Sequence, residues 1–270
     1  MTSHLFEHLA EVAGEIRAAA HLLLGLDFDG TLAPIVADPK DAFIPRDTRS
    51  ILGCLVSRPD ITVAIVSGRA PEDLASRVDL DVILAANHGL EIDGRGLHFR
   101  EPQAESRRCT IHRIYERLSR ATAGIPGALA EDKGLTASVH FRNVEDSRRD
   151  EIVSIVRDVA EADPDEIVLR NGNQVLEILP RVTWNKGSAV GWIIDRLRAE
   201  RPEKLVSLCY LGDDVSDEDV FDALGGITIR VGGDAPSAAR FGVRDTVEAA
   251  QFLQWLLSAP LQREPLETGA

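Results

Sequence analysis

The stretch LLLGLDFDGTL, at residues 22–32, carries the pattern from which the fold of this chain can be inferred. Its first half, Leu22 to Leu26, is an apolar run typical of a buried strand, and two acids spaced by one residue, Asp27 and Asp29, follow at once. Residues i and i+2 of a strand point to one side, so both carboxylates are expected to face the same point. Acids at the end of a buried strand need a cation or strong donors nearby. The alternative is a surface strand that ends in a solvated acidic turn.

The composition is that of an ordinary soluble globular protein. The chain has 270 residues, 44% hydrophobic and 27% charged, which allows one large domain or two smaller ones with a real core. Its net charge of −14 argues against a nucleic-acid surface. No apolar stretch reaches the ~20 residues of a membrane-spanning helix, and the N-terminal region has acids in place of the basic segment of a secretory signal. We therefore expect no nucleic-acid partner and no membrane.

Three cysteines, Cys54, Cys109 and Cys209, are far apart and lack CxxC spacing. This spacing excludes a disulfide scaffold and a thiolate zinc site, and it fits a reducing compartment. The sequence thus predicts a cytoplasmic protein with three buried free thiols.

The pattern of the opening stretch recurs along the chain. Further apolar runs end in polar turns, and helical patterns separate them. They are Ile61 to Val66, VILAANHGLEI at residues 82–92, which predicts one continuous strand, and two runs that begin near residues 205 and 227. Alternating strands and helices are typical of a doubly wound, Rossmann-like parallel sheet, an α/β fold.

A segment of different rhythm interrupts this alternation. Residues 103–179 combine one long helical pattern over 103–123, a second helix and short strands that read as antiparallel pairs. We interpret them as an inserted, smaller α+β domain, with residues 1–102 and 180–270 forming the core. We predict that the segment after Ala259 is an irregular tail.

Polar side chains follow four of the predicted core strands. They are Asp27 with Asp29, Ser67 with Arg69, Asn87 with His88, and Asp213 with Asp214 and Asp217. Ligands of open α/β sheets bind beyond the carboxyl ends of the strands, so these groups are expected to converge. Oxygen ligands from two strand ends suit Mg²⁺, while a serine hydroxyl, freed amides at Gly68 and the charge of Lys186 suit a phosphoryl group. These are the parts that phosphoryl transfer needs.

The set resembles the haloacid-dehalogenase-like phosphatase superfamily. Four motifs match in order: DFDGT at 27–31, SGR at 67–69, the lysine of NKG at 185–187, and GDDVSDE at 212–218. The resemblance implies that Asp27 is the nucleophile and that Asp29 is the general acid and then base. It also implies a Mg²⁺ ion held by Asp27, the carbonyl of Asp29 and Asp213, with Asp214 and Asp217 close by.

The inserted segment is similar to the cap of the trehalose-6-phosphate phosphatases. EDKGLTASVHFR, at residues 131–142, is similar to their ExK…H(Y/F)R signature, although Phe141 stands where many relatives have Tyr. The implied sugar ligands are Glu131, Lys133, His140, Arg142 and Glu177, with Gly68, Arg69, Asn87 and His88 from the core. Closure of such a cap would expel water and set specificity.

Each of these groups also has a plainer interpretation. Charged residues on cap strands usually form a solvated face, which applies to Glu131 and Lys133. His140 and Arg142 could form a structural pair, and Arg69 could pair with a core carboxylate. Glu177 is less easily dismissed because it interrupts an apolar run, where an unpaired acid is costly.

The resemblance leaves several functions open. The first is Mg²⁺-dependent hydrolysis of trehalose 6-phosphate, and the second is hydrolysis of a related sucrose, glucosylglycerol, mannosylglycerate or pseudo-disaccharide phosphate. A phosphomutase is disfavoured because no helical cap precedes the second motif. A sensor without turnover is disfavoured because Asp27, Asp29, Lys186 and Asp213 are all present. The length leaves no room for a fused synthase, so trehalose-phosphate synthase is expected to be a separate partner chain.

Overall fold

The computed structural model of the chain describes residues 2–172, 174–233 and 236–259, so the tail predicted after Ala259 lies outside the described residues. In chain order the strands are β1 (Ser3–His4), β2 (His21–Leu26), β3 (Ile61–Val66), β4 (Ile83–Ala86), β5 (Glu91–Gly94), β6 (Leu97–Arg100), β7 (Leu129–Asp132), β8 (Ala137–His140), β9 (Ile167–Gly172), β10 (Val175–Pro180), β11 (Val206–Gly212), β12 (Ile227–Val231) and β13 (Phe241–Val243). The α-helices are α1 (Leu9–Ala18), α2 (Arg46–Val56), α3 (Pro71–Val78), α4 (Pro102–Ser106), α5 (Arg108–Thr122), α6 (Arg149–Ala160), α7 (Lys186–Glu200), α8 (Val215–Ala223) and α9 (Thr246–Ser258).

The larger sheet has nine strands in the order β1-β13-β12-β11-β2-β3-β4-β5-β6. The strands β11, β2, β3 and β4 are parallel neighbours, which confirms the predicted doubly wound α/β fold. Strand β2 lies at the centre and is buried along its whole length, because both of its faces are covered. The carboxyl ends of β2, β3, β4 and β11 therefore lie at one edge of the sheet.

The prediction of a single strand over residues 82–92 was wrong. Strand β4 ends at Ala86, a short turn spans Asn87–Gly89, and β5 returns antiparallel to β4. Asn87, His88 and Gly89 all adopt positive φ angles of 49°, 59° and 87°. This left-handed turn reverses the chain, and an apolar pattern alone does not reveal it.

Two further predictions need correction. The helix expected over 103–123 is interrupted at Arg107, so it forms the separate helices α4 and α5. Of the three cysteines, only Cys209 is buried, whereas Cys54 and Cys109 are exposed. They lie on the solvent-facing sides of α2 and α5, where a small apolar residue costs little.

The chain divides into two compact units. The first comprises Met1–Gly68, Glu72–His98 and Trp184–Ala270, and the second comprises Arg69–Pro71 and Phe99–Thr183. The second unit contains a four-stranded antiparallel sheet in the order β7-β8-β10-β9. Helices α5 and α6 pack on one face of this sheet around a separate apolar cluster.

Across the described part of the chain, every helix is too short or too polar to cross a membrane.

Candidate active site

Asp27 lies directly beyond the buried strand β2. Its backbone N–H donates to the carbonyl of Leu211 at 2.9 Å, which extends the pairing with β11, and its side chain is buried. Gly30 then turns the chain with a φ of +81°. A Cβ atom at Gly30 would collide with the carboxylate of Asp213, so only glycine lets these two strand ends approach so closely.

Lys186 brings a positive charge to this edge of the sheet. It is the first residue of α7, whose N-terminus is capped by Asn185, since the Asn185 side chain accepts from the Ser188 N–H at 2.9 Å. The Lys186 ammonium donates to Asp27 Oδ1 at 2.7 Å and to Asp217 Oδ1 at 2.8 Å. Because Lys186 is only 2% exposed, these are buried, charge-assisted hydrogen bonds.

Asp217, near the start of α8, is fully buried and accepts four hydrogen bonds. Its Oδ1 accepts from Lys186 and from the Tyr210 hydroxyl, the latter at 2.7 Å. Its Oδ2 accepts from the backbone N–H groups of Asp213 and Asp214 at 3.1 and 3.0 Å. Four donors fill the usual acceptor capacity of a carboxylate. Direct ligation of a metal by Asp217 would therefore have to displace one of them.

The neighbouring acids raise one another's pKa values. Burial raises the pKa of Asp27 well above its ordinary value, and repulsion from Asp217 and Asp213 adds to this against the opposing effect of Lys186. Burial, followed by repulsion from Asp217, raises the pKa of Asp213 to about 7. Burial by itself would lower the pKa of Lys186, but attraction to Asp217 and Asp27 outweighs it and keeps the ammonium charged. Three acids thus share one ammonium, which offsets their mutual repulsion only in part.

This excess of acid fits a cation. Carboxylate oxygens of Asp27, Asp213 and Asp217 all lie within 4.8 Å of one another. Three carboxylates face one ammonium, and an oxygen-rich site of that kind suits a hard divalent ion. Within the described ranges, this group includes neither Asp29 nor Asp214, and Asp214 is an exposed N-cap of α8.

The ends of β3 and β4 meet through their backbones. The carbonyl of Ser67, just beyond β3, accepts from the His88 N–H at 2.8 Å, and the Ser67 N–H donates to the Ala85 carbonyl at 2.9 Å. The imidazole of His88 lies so close to Gly68 that a Cβ atom there would sit 2.6 Å from the ring. Ser67 and His88 are therefore neighbours at the edge of the sheet, both buried.

Asn87 has a partner that explains its burial. Its side-chain amide donates to Glu91 Oε2 at 2.7 Å, and both residues are buried. A role of Asn87 in substrate binding stays a prediction. Arg69 is also buried, and it belongs to the second unit.

The second unit carries the predicted sugar ligands on one face of its sheet. Glu131 and Glu177 each pair with Ser138, so the three residues form a row across β7, β8 and β10. Paired residues of neighbouring strands lie on the same face. The alternate residues Ala137 and Val139 join the apolar cluster under the helices, so Ser138 and the two glutamates face away from it.

The two glutamates of this row form a looser polar cluster with Lys133 and His140. His140 Nε2 lies 2.8 Å from Glu131 Oε2, whereas Lys133 Nζ lies 3.9 Å from Glu131 Oε2 and 3.8 Å from Glu177 Oε1. Arg142 follows β8 and is partly exposed. The structure thus brings together Glu131, Lys133, His140 and Glu177.

The sequence model of the trehalose-phosphatase family matches residues 25–240, which is most of the chain. The chain belongs to the trehalose-phosphatase family. The match begins before Asp27 and ends after Asp217, so it spans both units and both polar clusters.

Relatives and solved structures agree with membership of the trehalose-phosphatase family. A trehalose-phosphate phosphatase of Mycobacterium marinum is 35% identical over 240 residues, which are 86% of this chain and 60% of that protein. A solved "trehalose-6-phosphate phosphatase related protein" has 26% identity and a TM-score of 0.75, over 87% of this chain and 97% of its own. The C-terminal domain of a C. albicans trehalose-6-phosphate phosphatase has the same fold: its TM-score is 0.79 at 23% identity, over 96% of this chain and 99% of that domain.

Sequence reasoning missed several residues of these two polar clusters. Tyr210 looked like one more apolar position of a buried strand, and Glu91 lay in the segment predicted as one continuous strand, although it begins β5 after the turn. Ser138 could have been found, because strict alternation puts it on the face of His140. Thr31 was seen only as part of the turn, yet its buried hydroxyl lacks a hydrogen-bond partner among the residues that the structure describes.

Proposed function

We propose that this chain is a phosphatase that hydrolyses trehalose 6-phosphate to trehalose and phosphate. The observation that carries the proposal is the buried network in which Lys186 bridges Asp27 and Asp217, in a chain of the trehalose-phosphatase family. A carboxylate and an ammonium at one sheet edge supply a nucleophile and a phosphate-orienting charge. The chain spans about 60% of the length of the Mycobacterium marinum relative, and the activity assigned here is that of the matched part.

The chemistry is assigned to two acids. A carboxylate oxygen of Asp27 attacks phosphorus, and the bond from phosphorus to the sugar oxygen breaks. Asp29 gives its proton to that oxygen, so the sugar leaves as a neutral alcohol. Asp29 then accepts a proton from the water that attacks the aspartyl-phosphate, and phosphate departs while the Asp27 carboxylate is restored.

The phosphoryl group is assigned to donors at the same sheet edge. Ser67 offers a hydroxyl, Gly68 offers a backbone N–H, and Lys186 offers its ammonium. Lys186 is already fixed by two carboxylates, so it needs little reorganisation when phosphate binds.

A Mg²⁺ ion suits the remaining negative charge. We assign it to Asp27, Asp213 and the backbone carbonyl of Asp29, with Asp217 holding the surrounding chain and Asp214 outside direct contact. Bound Mg²⁺ would act as a Lewis acid on the phosphoryl oxygens and offset the acids. The raised pKa values of Asp27 and Asp213 support the need for such a cation.

Sugar recognition is assigned to the polar row of the second unit. Glu131 and Glu177 would accept hydrogen bonds from sugar hydroxyls, and Lys133 and His140 would orient the two carboxylates. Further candidate contacts with the substrate are Arg142, Arg69, Asn87 and His88. The substrate would be supplied by a trehalose-phosphate synthase.

Phosphate release from a panel of sugar phosphates tests this proposal. The panel contains trehalose 6-phosphate, sucrose 6-phosphate, glucosylglycerol phosphate, mannosylglycerate phosphate and glucose 6-phosphate, each with Mg²⁺ and with EDTA. We expect the highest kcat/KM with trehalose 6-phosphate and loss of activity in EDTA. A higher kcat/KM on another compound would reassign the substrate. Isomerised sugar phosphate without free phosphate would identify a mutase, and binding without turnover would identify a sensor.

A further inference from the structure

We propose that Tyr210 is a positioning residue that holds Lys186 against Asp27, an inference that rests on the phosphatase function proposed above. Tyr210 is a fully buried residue of β11, three positions before Asp213. Its hydroxyl donates to Asp217 Oδ1 at 2.7 Å, the same oxygen that accepts from Lys186 at 2.8 Å.

The Tyr210 hydroxyl affects the position of Lys186 because both groups donate to Asp217 Oδ1. A carboxylate oxygen has two favourable acceptor directions, and Tyr210 occupies one of them. Lys186 is thereby confined to the other direction, from which it also reaches Asp27 Oδ1 at 2.7 Å. Lysine is a flexible point charge, so its position depends on the partners around it. Loss of the hydroxyl opens the first direction and lets the ammonium move away from Asp27.

Local packing keeps the phenol in place. Tyr210 is paired with Gly25 across β11 and β2, and a Cβ atom at Gly25 would lie 2.5 Å from Tyr210 Cδ2. The ring also meets Phe221 edge-on, with centroids 6.0 Å apart. A phenyl ring would fill this space equally well. The hydroxyl is therefore explained by its bond to Asp217 and not by packing.

The substitution Tyr210→Phe removes the hydroxyl and keeps the ring. We expect kcat for trehalose 6-phosphate to fall about tenfold, the usual effect of losing a hydrogen bond to a charged group, with KM changed less than about twofold. The chain has one other tyrosine, Tyr115, on α5 of the second unit, and Tyr115→Phe is the matched control with unchanged kcat. Phe221→Leu disturbs the packing without touching the hydroxyl, so it should lower the unfolding temperature and spare kcat.

A spectroscopic measurement separates positioning from stability. The chain has four lysines, Lys40, Lys133, Lys186 and Lys204, so the buried ammonium of Lys186 can be assigned in a ¹H–¹⁵N NMR spectrum. Tyr210→Phe should shift the Lys186 signal, while Phe221→Leu and Tyr115→Phe should not.

An unchanged Lys186 signal, or equal losses of kcat in Tyr210→Phe and Phe221→Leu, would overturn the proposal. If the native protein releases no phosphate from any compound of the panel, the proposed function fails instead. The NMR comparison then still decides whether Tyr210 sets the position of Lys186.

Discussion

The two units hold charged clusters of different construction. In the first, Lys186 meets Asp27 and Asp217 at 2.7 and 2.8 Å, and all three residues are buried. In the second, Lys133 stands 3.8–3.9 Å from Glu177 and Glu131, whose side chains are 13% and 36% exposed. Short buried bonds fix the reacting groups before substrate arrives. In the second cluster the His140–Glu131 contact, at 2.8 Å, is as short as these bonds, whereas the Lys133 ion pairs on a partly exposed face can rearrange around a ligand hydroxyl. We infer that the first cluster performs chemistry and the second selects the substrate.

The substitution Asp27→Asn tests the first half of this contrast most severely. An amide cannot form the aspartyl-phosphate, so kcat should fall on the order of 10⁴-fold or more, as for other lost nucleophiles. Phosphate release from trehalose 6-phosphate measures the effect. Asp222→Asn, at an exposed position of α8, is the control and should retain full activity. Turnover that survives in Asp27→Asn would remove Asp27 from the nucleophile role.

Removal of the buried charge should affect folding as well as activity. Lys186→Met leaves Asp27 and Asp217 buried without their cation, which should lower the free energy of unfolding by about 3–5 kcal/mol. Urea denaturation measures this change. Lys40→Met, at an exposed lysine, should change it by less than about 0.5 kcal/mol. Equal stabilities of the two variants would show that the core network contributes nothing to the fold.

The second cluster should affect binding and not chemistry. Glu177→Gln weakens an acceptor for sugar hydroxyls, so KM for trehalose 6-phosphate should rise about 10–100-fold while kcat changes little. Hydrolysis of p-nitrophenyl phosphate, which has no sugar, should stay unchanged. Glu151→Gln on α6, an exposed acid paired with Arg148, is the control. A fall of kcat on both substrates would contradict the assignment of chemistry to the first cluster and of substrate selection to the second.

The pH dependence of metal binding gives the smallest effect. The pKa of Asp213 is raised to about 7, so without metal the folded chain holds a proton there that the unfolded chain releases near pH ~4. This group therefore lowers the free energy of unfolding as pH rises from about 4 to about 7. Mg²⁺ competes with that proton, and its affinity should weaken by up to about tenfold per pH unit below 7. Calorimetric titration at pH 6 and pH 8 measures the difference, and equal affinities would exclude Asp213 as a ligand.

Much of the fold was readable from the pattern of apolar runs. Strand β3 was expected from Ile61 to Val66 and is found there, because a parallel strand buried on both faces is an uninterrupted apolar run. The antiparallel turn at Asn87–Gly89 was missed, since its left-handed backbone leaves no mark in the apolar pattern. The break at Arg107 was missed because α4 and α5 share one helical periodicity.

The reactive groups of this protein can be identified from its sequence alone. Polar groups that directly follow a buried strand or begin a helix are costly to bury unless they bind something. This cost identifies Asp27, Ser67, Lys186 and Asp213. The hydrogen bonds that connect these groups become visible only in the folded chain. Asp217 was expected near the metal, yet its four donors come from α7, β11 and the turn that leads into its own helix. Tyr210 became part of the site because the register of β11 against β2 sets its ring beside Gly25. Contacts between residues so distant in sequence depend on register and packing, which no local pattern of residues encodes.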